Sequence, residues 1–327
     1  MPFVRENLQS QGISQHAADI IISSWRTSTK KSYRSAIQKW VLFCARTKSD
    51  PLRVTVAVIL DCLTEEFDKG SSYSTLNTIR SALSAILAPI DGTPIGSLPL
   101  IKRFMTGVFN MRPAIPRYTC TWDVNTVLQY LTNLGPSNKL FLKELTMKLV
   151  MLVALISGQR CQTLSLLNLD DAEVTATKII FVVSKLTKTS KIGKQPVSLV
   201  LPRYPHDDQL YVMTTLKQYL IKTKSLRGKQ RCLFVSYASP HKQVRSETIS
   251  RWIKNTLHKA GIDTAKFTAH STRSAACSAA FKNGVPLNII LSTGHWARSS
   301  TFAKFYNKPV GQTDHSFANA VLAGTTK

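Results

Sequence analysis

The sequence predicts a mainly α-helical protein with one small antiparallel β-sheet, split into a helical N-terminal domain and a larger α+β C-terminal domain. Three observations carry that expectation. Apolar residues recur at helical spacing through the first third of the chain. A basic stretch with two prolines and no periodicity, at 111–118, interrupts the pattern. Beyond it, two β-branched runs flank a lysine-rich turn among otherwise helical segments. The length agrees, since 327 residues exceed one ordinary hydrophobic core and a composition that is 43% apolar can fill two.

Taken in order, the capping candidates Thr27, Ser28 and Thr29 precede Tyr33, Ile37, Trp40, Val41 and Cys44, which share one helical face. Lys30, Lys31, Arg34 and Lys39 occupy the other faces and give this helix a basic exterior. Further helices are expected at 54–67, 73–88 and 101–109, making a bundle of four or five. The domains are set at 1–112 and 121–327, with a basic linker at 113–120 that includes Arg117 and follows Arg112. In the second domain, helices are expected at 123–134, 140–156, 208–223, 247–260, 272–283 and 299–306. Strands are expected at 178–183 and 196–201, with a single further strand at 232–236.

The charge narrows the function classes. Forty-three Lys and Arg against 18 Asp and Glu leave a formal net charge of +25, which calls for a polyanionic partner, and double-stranded DNA leads. The surplus is uneven: +6 falls in 1–112 and +19 in 113–327. Six scattered cysteines form no CxxC pair and have no closely spaced histidine, so neither a disulfide framework nor a zinc site is signalled. No stretch of the kind that spans a bilayer occurs. A soluble protein of a reducing compartment is expected, nuclear in a eukaryote and otherwise cytoplasmic.

Four local motifs carry chemistry. Ser157, Gly158, Gln159 and Arg160 end a long apolar run, and a guanidinium placed after a buried helix can grip two oxygens of a phosphate. Between the two expected strands lie Lys185, Lys188, Lys191 and Lys194, and a lysine on a hairpin can swing toward a leaving oxygen and donate a proton. His270 and Arg273 open an Ala-rich helix, where three-residue spacing puts both on one face beside free N–H groups that favour an anion. Gly294, His295 and Trp296 precede Phe302, Phe305 and Tyr306.

In this order the motifs resemble the catalytic domain of the tyrosine recombinase, or phage integrase, family over residues from about 120 to 310. The helical first third resembles that family's core-binding, SAM-like domain. More narrowly, the pieces at 5–8, 12–14, 24–26 and 29–33 are similar to recombinases of eukaryotic DIRS-like and Crypton mobile elements. The resemblance implies DNA cleavage and rejoining through a 3′-phosphotyrosine, without metal, cofactor or ATP. Arg160 and Arg273 would hold the phosphate, His270 and His295 would donate hydrogen bonds and manage the tyrosyl proton, and Lys188 would protonate the 5′-oxygen. Tyr306 would be the nucleophile.

Two departures stand out: Thr163 occupies a position where the family often has a carboxylate, and Tyr306 lies eleven residues after His295, about two more than is commonest in bacterial members. Lys30, Lys31, Arg34, Lys39, Arg112, Arg117, Lys185 and Lys191 are the candidate DNA contacts. The resemblance also implies a homodimer or homotetramer on DNA, with a C-terminal helix carrying Phe317, Ala320 and Val321 docked in a neighbouring subunit. A type IB topoisomerase-like enzyme and a catalytically idle DNA-binding protein derived from a mobile element remain the alternatives at this stage.

Overall fold

The computed structural model describes residues 1–115, 118–204, 207–311 and 321–323. Arg117, Phe317 and Ala320 lie outside the described residues. The chain divides into two compact units, Met1–Pro116 and Arg117–Lys327.

The first unit is built from six helices: α1 (Pro2–Ser10), α2 (Gln15–Ser23), α3 (Thr27–Thr47), α4 (Val56–Asp68), α5 (Tyr73–Ile86) and α6 (Pro99–Met111). The first two exceed the expected four or five. Both are only nine residues long, too short to show a sustained apolar period. Their starts are marked nonetheless, by Pro2 in the first turn of α1 and by Ser14, whose hydroxyl accepts from the N–H of Ala17. Trp40, Ile59, Leu63, Leu76, Ile79, Leu83 and Ile101 form the centre of the core. The one polar atom of Trp40 is satisfied there, its indole N–H donating to the Pro51 carbonyl at 3.0 Å.

The second unit is organised around α8 (Leu142–Ser157), which is buried without a break from Leu145 to Leu155. Around it pack the short α9 (Cys161–Ser165), α10 (Val212–Thr223), α11 (Ser246–Lys259) and α12 (Ser271–Lys282), with α7 (Val124–Asn133) against α11 and α12. Then come α13 (Leu287–Thr293) and α14 (Ser299–Phe305). The sheet has three antiparallel strands in the order β1 (Ala172–Val174), β2 (Lys178–Val183) and β3 (Val197–Pro202). Lys178 pairs with Pro202 and Val183 with Val197, so Phe181, Val183, Leu199 and Leu201 turn into the core together.

Two expectations are corrected here. The sheet gains β1, whose three residues are too few to display alternation. The strand expected at 232–236 does not form, and the segment makes only isolated bridges, Asn168 with Cys232 and Val235 with Gln243. Its backbone is satisfied partly by scattered backbone bonds, such as Leu233 N–H to the Leu167 carbonyl at 2.8 Å, and partly by side chains. Arg227 donates to the carbonyls of Cys232 and Leu233, and the Val235 N–H donates to the Tyr219 hydroxyl at 3.0 Å. Residues 118–121 are tied within the second unit. Thr121 N–H donates to the Pro309 carbonyl at 2.8 Å, Gly311 N–H to that of Thr121, and the Lys308 ammonium to that of Tyr118.

Candidate active site

The site grows from the ends of four elements. Helix α8 stops at Gly158, which takes a left-handed φ of 55° and lies so near α12 that a Cβ would sit 3.3 Å from Cys277 Sγ. The turn that follows is fixed by Gln159, whose amide donates to the Thr293 carbonyl at 2.6 Å. Arg160 then caps α9 in an extended conformation, half-buried at the rim of a cavity of about 450 Å³. Thr163 is buried one turn further on.

Helix α12 is anchored at its start by Ser271, which accepts from the Trp122 indole at 2.9 Å and donates to the Thr268 carbonyl at 2.7 Å. His270 precedes it with an exposed edge on the same cavity. Arg273, only 2% exposed, donates through Nη2 to the Gly294 carbonyl, while its Nε and Nη1 are buried and have no partner. Burying a guanidinium with two unused donors is costly, and such a group normally faces an acceptor. Burial, then the neighbouring Arg160 charge, pull the Arg273 guanidinium below its usual range. Its ordinary value is high enough that it stays charged at neutral pH.

Tyr306 closes the site. It caps the C-terminus of α14 and is nearly buried, with its Oη 3.4 Å from His270 Nε2. Two serines on α12 hold its backbone, Ser278 donating to the Tyr306 carbonyl at 2.7 Å and Ser274 at 3.1 Å. His295 sits in the left-handed region at φ 52°, its ring hydrogen-bonded to the backbone of Ser198 on β3, and its buried Nε2 has no partner. Both histidines are held below the usual imidazole range. For His270 the causes are partial burial, then the charges of Arg273, Arg160 and Lys188. For His295 they are burial, opposed by the Ser198 bond, and then Lys194, Arg273 and Arg160.

Arg160, His270, Arg273, His295 and Tyr306 are thus brought together. Lys188 is exposed on the β2–β3 turn, yet its charge is among those felt by His270. The buried Thr187 orders the turn beside it, its N–H donating to Ser190 Oγ at 2.9 Å. Of its neighbours, Lys185 is felt by Cys232, Lys194 by the site residue His295, and Lys191 is exposed.

In the first unit Lys31 and Arg34 are exposed and Lys30 is half-buried. Lys39 is instead ion-paired with the buried Glu66. Arg112 donates to the carbonyls of Phe67 and Ser71 and stacks on the Phe67 ring at 4.0 Å, so it serves as a tie between helices.

Sequence reasoning missed Gln159, Ser274, Ser278 and the role of Trp296. A serine pair four residues apart in an Ala-rich helix was a usable signal for Ser274 and Ser278, since such spacing aims two hydroxyls at one spot. Gln159 and Trp296 offered none, because their partners lie far along the chain.

A tyrosine, two histidines and two arginines gathered in a mainly helical unit with a small antiparallel sheet are the arrangement expected of a protein of the integrase kind. The phage integrase family model matches residues 123–311, and the chain belongs to that family. Solved structures agree on the fold. The Tn1549 transposon integrase in complex with transposon right end DNA is similar over 99% of both chains, at 16% identity and a TM-score of 0.61. The XerH site-specific recombinase in a post-cleavage complex covers 90% of this chain and 78% of its own, at 13% identity and a TM-score of 0.60. A lambda integrase dimer bound to a COC′ core site covers 89% and 92%, at 18% identity and a TM-score of 0.53. A search of curated proteins finds no match.

Proposed function

We propose that the chain cuts and rejoins DNA as a tyrosine recombinase with Tyr306 as nucleophile. One observation carries the reading: Tyr306 Oη lies 3.4 Å from His270 Nε2, beside a buried arginine with two unpaired donors. Tyr306 Oη attacks phosphorus, and the P–O5′ bond breaks as the P–O bond to tyrosine forms. The phenolic proton passes to His270, which is neutral at neutral pH because its pKa is lowered, and Lys188 protonates the departing O5′. Arg160 and Arg273 neutralise the charge that builds on the non-bridging oxygens, and His295 adds a hydrogen bond. Because tyrosine and histidine belong to the same chain, attack is in cis. The phosphotyrosine keeps the energy of the broken bond, so a 5′-hydroxyl from another strand reverses the step.

The test is covalent capture. A pool of nicked duplexes with random sequence around the nick, incubated with the protein and denatured, yields a protein–DNA adduct with the native chain. With Tyr306→Phe the adduct falls to background while affinity for the pool stays unchanged. Persistence of the adduct in the phenylalanine variant would sink the assignment.

The finer reading is a mobile-element recombinase of the DIRS-like or Crypton kind, nuclear in a eukaryotic host. The motifs at 5–8, 12–14, 24–26 and 29–33 support it. The first unit would bind DNA through Lys30, Lys31 and Arg34, and Phe317 of the tail would dock in a second copy. Removal of 312–327 is then expected to leave DNA binding intact and abolish multimers on DNA in sedimentation; unchanged multimers would refute docking in trans.

A further inference from the structure

Trp296 is not among the residues that the reaction above uses, yet its ring packs against two that are, Arg273 and Tyr306. The ring centroid lies 4.1 Å from the Arg273 guanidinium carbon and 4.5 Å from the centroid of the Tyr306 ring. It is folded back over Gly294, where a Cβ would meet the indole at 2.0 Å. The carbonyl of that same glycine accepts the Arg273 Nη2 hydrogen bond. Phe302 packs beside it with ring centroids 5.9 Å apart. The indole ring therefore lies against the guanidinium while Gly294 holds its edge, and the same guanidinium carbon is 5.2 Å from the centroid of the Tyr306 ring, so the three groups form one cluster.

A guanidinium is planar, and its Nε and Nη1 donors are useful to a phosphate only if the plane is held at one tilt. A single hydrogen bond from Nη2 leaves the plane free to rotate about that bond. An aromatic face against the plane removes this freedom, because stacking is favourable only when the two are close and roughly facing. We propose that Trp296 is a positioning residue: its indole face sets the tilt of the Arg273 guanidinium beside the Tyr306 ring, so that two arginine donors and the attacking oxygen meet one phosphate. The proposal rests on the recombinase reading.

Three variants isolate the effect. Trp296→Phe keeps an aromatic face and loses the indole N–H, which is buried without a partner. Trp296→Leu removes the face. Gly294→Ala leaves Trp296 in place but forces the ring away, and the Gly294 backbone, at φ −78°, accepts alanine without strain.

Adduct formation is measured at saturating DNA, on a nicked duplex recovered from the random pool, with either an ordinary phosphodiester or a methylphosphonate at the scissile position. The methylphosphonate is neutral and has little need of a cationic clamp. On the phosphodiester, Trp296→Leu and Gly294→Ala are expected to slow by about a hundredfold and Trp296→Phe by less than about fivefold. On the methylphosphonate all three should come within about threefold of the native protein. The double variant should be no slower than Trp296→Leu alone, because leucine leaves no ring to displace.

Equal slowing on both linkages, or a phenylalanine variant as slow as leucine, would overturn the proposal. A native protein that forms no adduct would instead defeat the recombinase reading. In that event the Arg273 Nε–H proton in spectra of nitrogen-labelled arginine decides the stacking: it is expected upfield in the native and phenylalanine proteins and shifted downfield in leucine. An unchanged position in leucine overturns it.

Discussion

Ion pairs interlock the helices of the N-terminal unit, whereas the buried cations of the C-terminal unit are met by uncharged oxygens. Arg5 pairs with Asp19 and Arg46 with Glu65, Lys39 with Glu66, and Lys69 with both glutamates. In the second unit, the hydrogen bonds of the buried Lys148, Arg227 and Arg273 go to carbonyl and hydroxyl oxygens. The two arrangements differ in their fields. A carboxylate cancels a cation's charge, but a carbonyl dipole satisfies its N–H groups and leaves the charge in place. The second unit, which also carries most of the surplus charge, thereby keeps a positive field for a polyanion.

The sharpest way to break this comparison is to remove one charge from each unit. Arg273→Met should lower the rate of adduct formation by about 10³-fold or more, since it deletes a preorganised donor pair. The same change should leave the melting temperature unaltered or raise it by about 2–4 °C, because two unpaired buried donors disappear. Glu66→Ala should do the opposite, costing about 1–3 kcal/mol in urea unfolding by leaving Lys39 and Lys69 without their buried acceptor, with the adduct rate unchanged. An Arg273→Met protein that melts well below the native one would remove the distinction.

Burial alone would raise the Glu66 pKa, but hydrogen bonds from Lys39 and Lys69 outweigh it and the net shift is downward. Its folded pKa is therefore below its unfolded value. The contribution to stability is full above the ordinary glutamate pKa of about 4.3 and is lost as pH falls through the folded value. In Glu66→Gln that part of the acid sensitivity should vanish, which urea midpoints at successive pH values would show.

A smaller effect separates the hairpin lysines. Because the Lys188 charge helps hold His270 down, Lys188→Met should move the His270 titration upward in proton NMR spectra, and Lys185→Met should not. The acid limb of adduct formation follows the same group: the rate should hold as pH drops to about 6.5 and fall only below it. In Lys188→Met that limb should shift toward higher pH. Movement in the Lys185 variant alone would reassign the general acid.

The slightest change lies in salt dependence. Lys31→Ala should reduce the slope of log affinity against log salt by about one, as expected for a charge available to a phosphate. Lys39→Ala should leave the slope unaltered, because that ammonium already faces Glu66. Equal slopes for both variants would show that the pairing in the first unit does not withhold charge from DNA.

Much of the fold was legible because a helix or strand writes its burial into neighbouring residues. The apolar faces of α3, α5 and α8 and the alternation in β3 are periodic in the chain itself. Short elements were not: α1, α2, α13 and β1 hold too few residues to repeat a pattern, and 232–236 looked like a strand because Leu233, Phe234 and Val235 are buried for another reason. Of the site, Arg160, His270, Arg273, His295 and Tyr306 were all named from motif order; Arg160, His270 and Arg273 line one cavity, Tyr306 meets His270 beside it, and His295 lines an adjoining one while feeling the charges of both arginines. Lys39 and Arg112, read from the sequence as candidate DNA contacts, have partners within the first unit that the sequence did not show, since nothing local marks a lysine whose partner is 27 residues away.

By itself, then, the sequence determined residue types, their order and the surplus of positive charge, which are properties of composition and short-range spacing. Only the tertiary structure decided which cations are neutralised and which stay bare. It also decided that Gln159 reaches Thr293, that Ser274 and Ser278 hold the backbone of Tyr306, and that Trp296 packs against both Arg273 and that tyrosine. The physical reason is range. Helical periodicity is set by hydrogen bonds four residues apart, whereas these contacts join positions up to 134 residues apart and exist only once α8, α12 and α14 have packed.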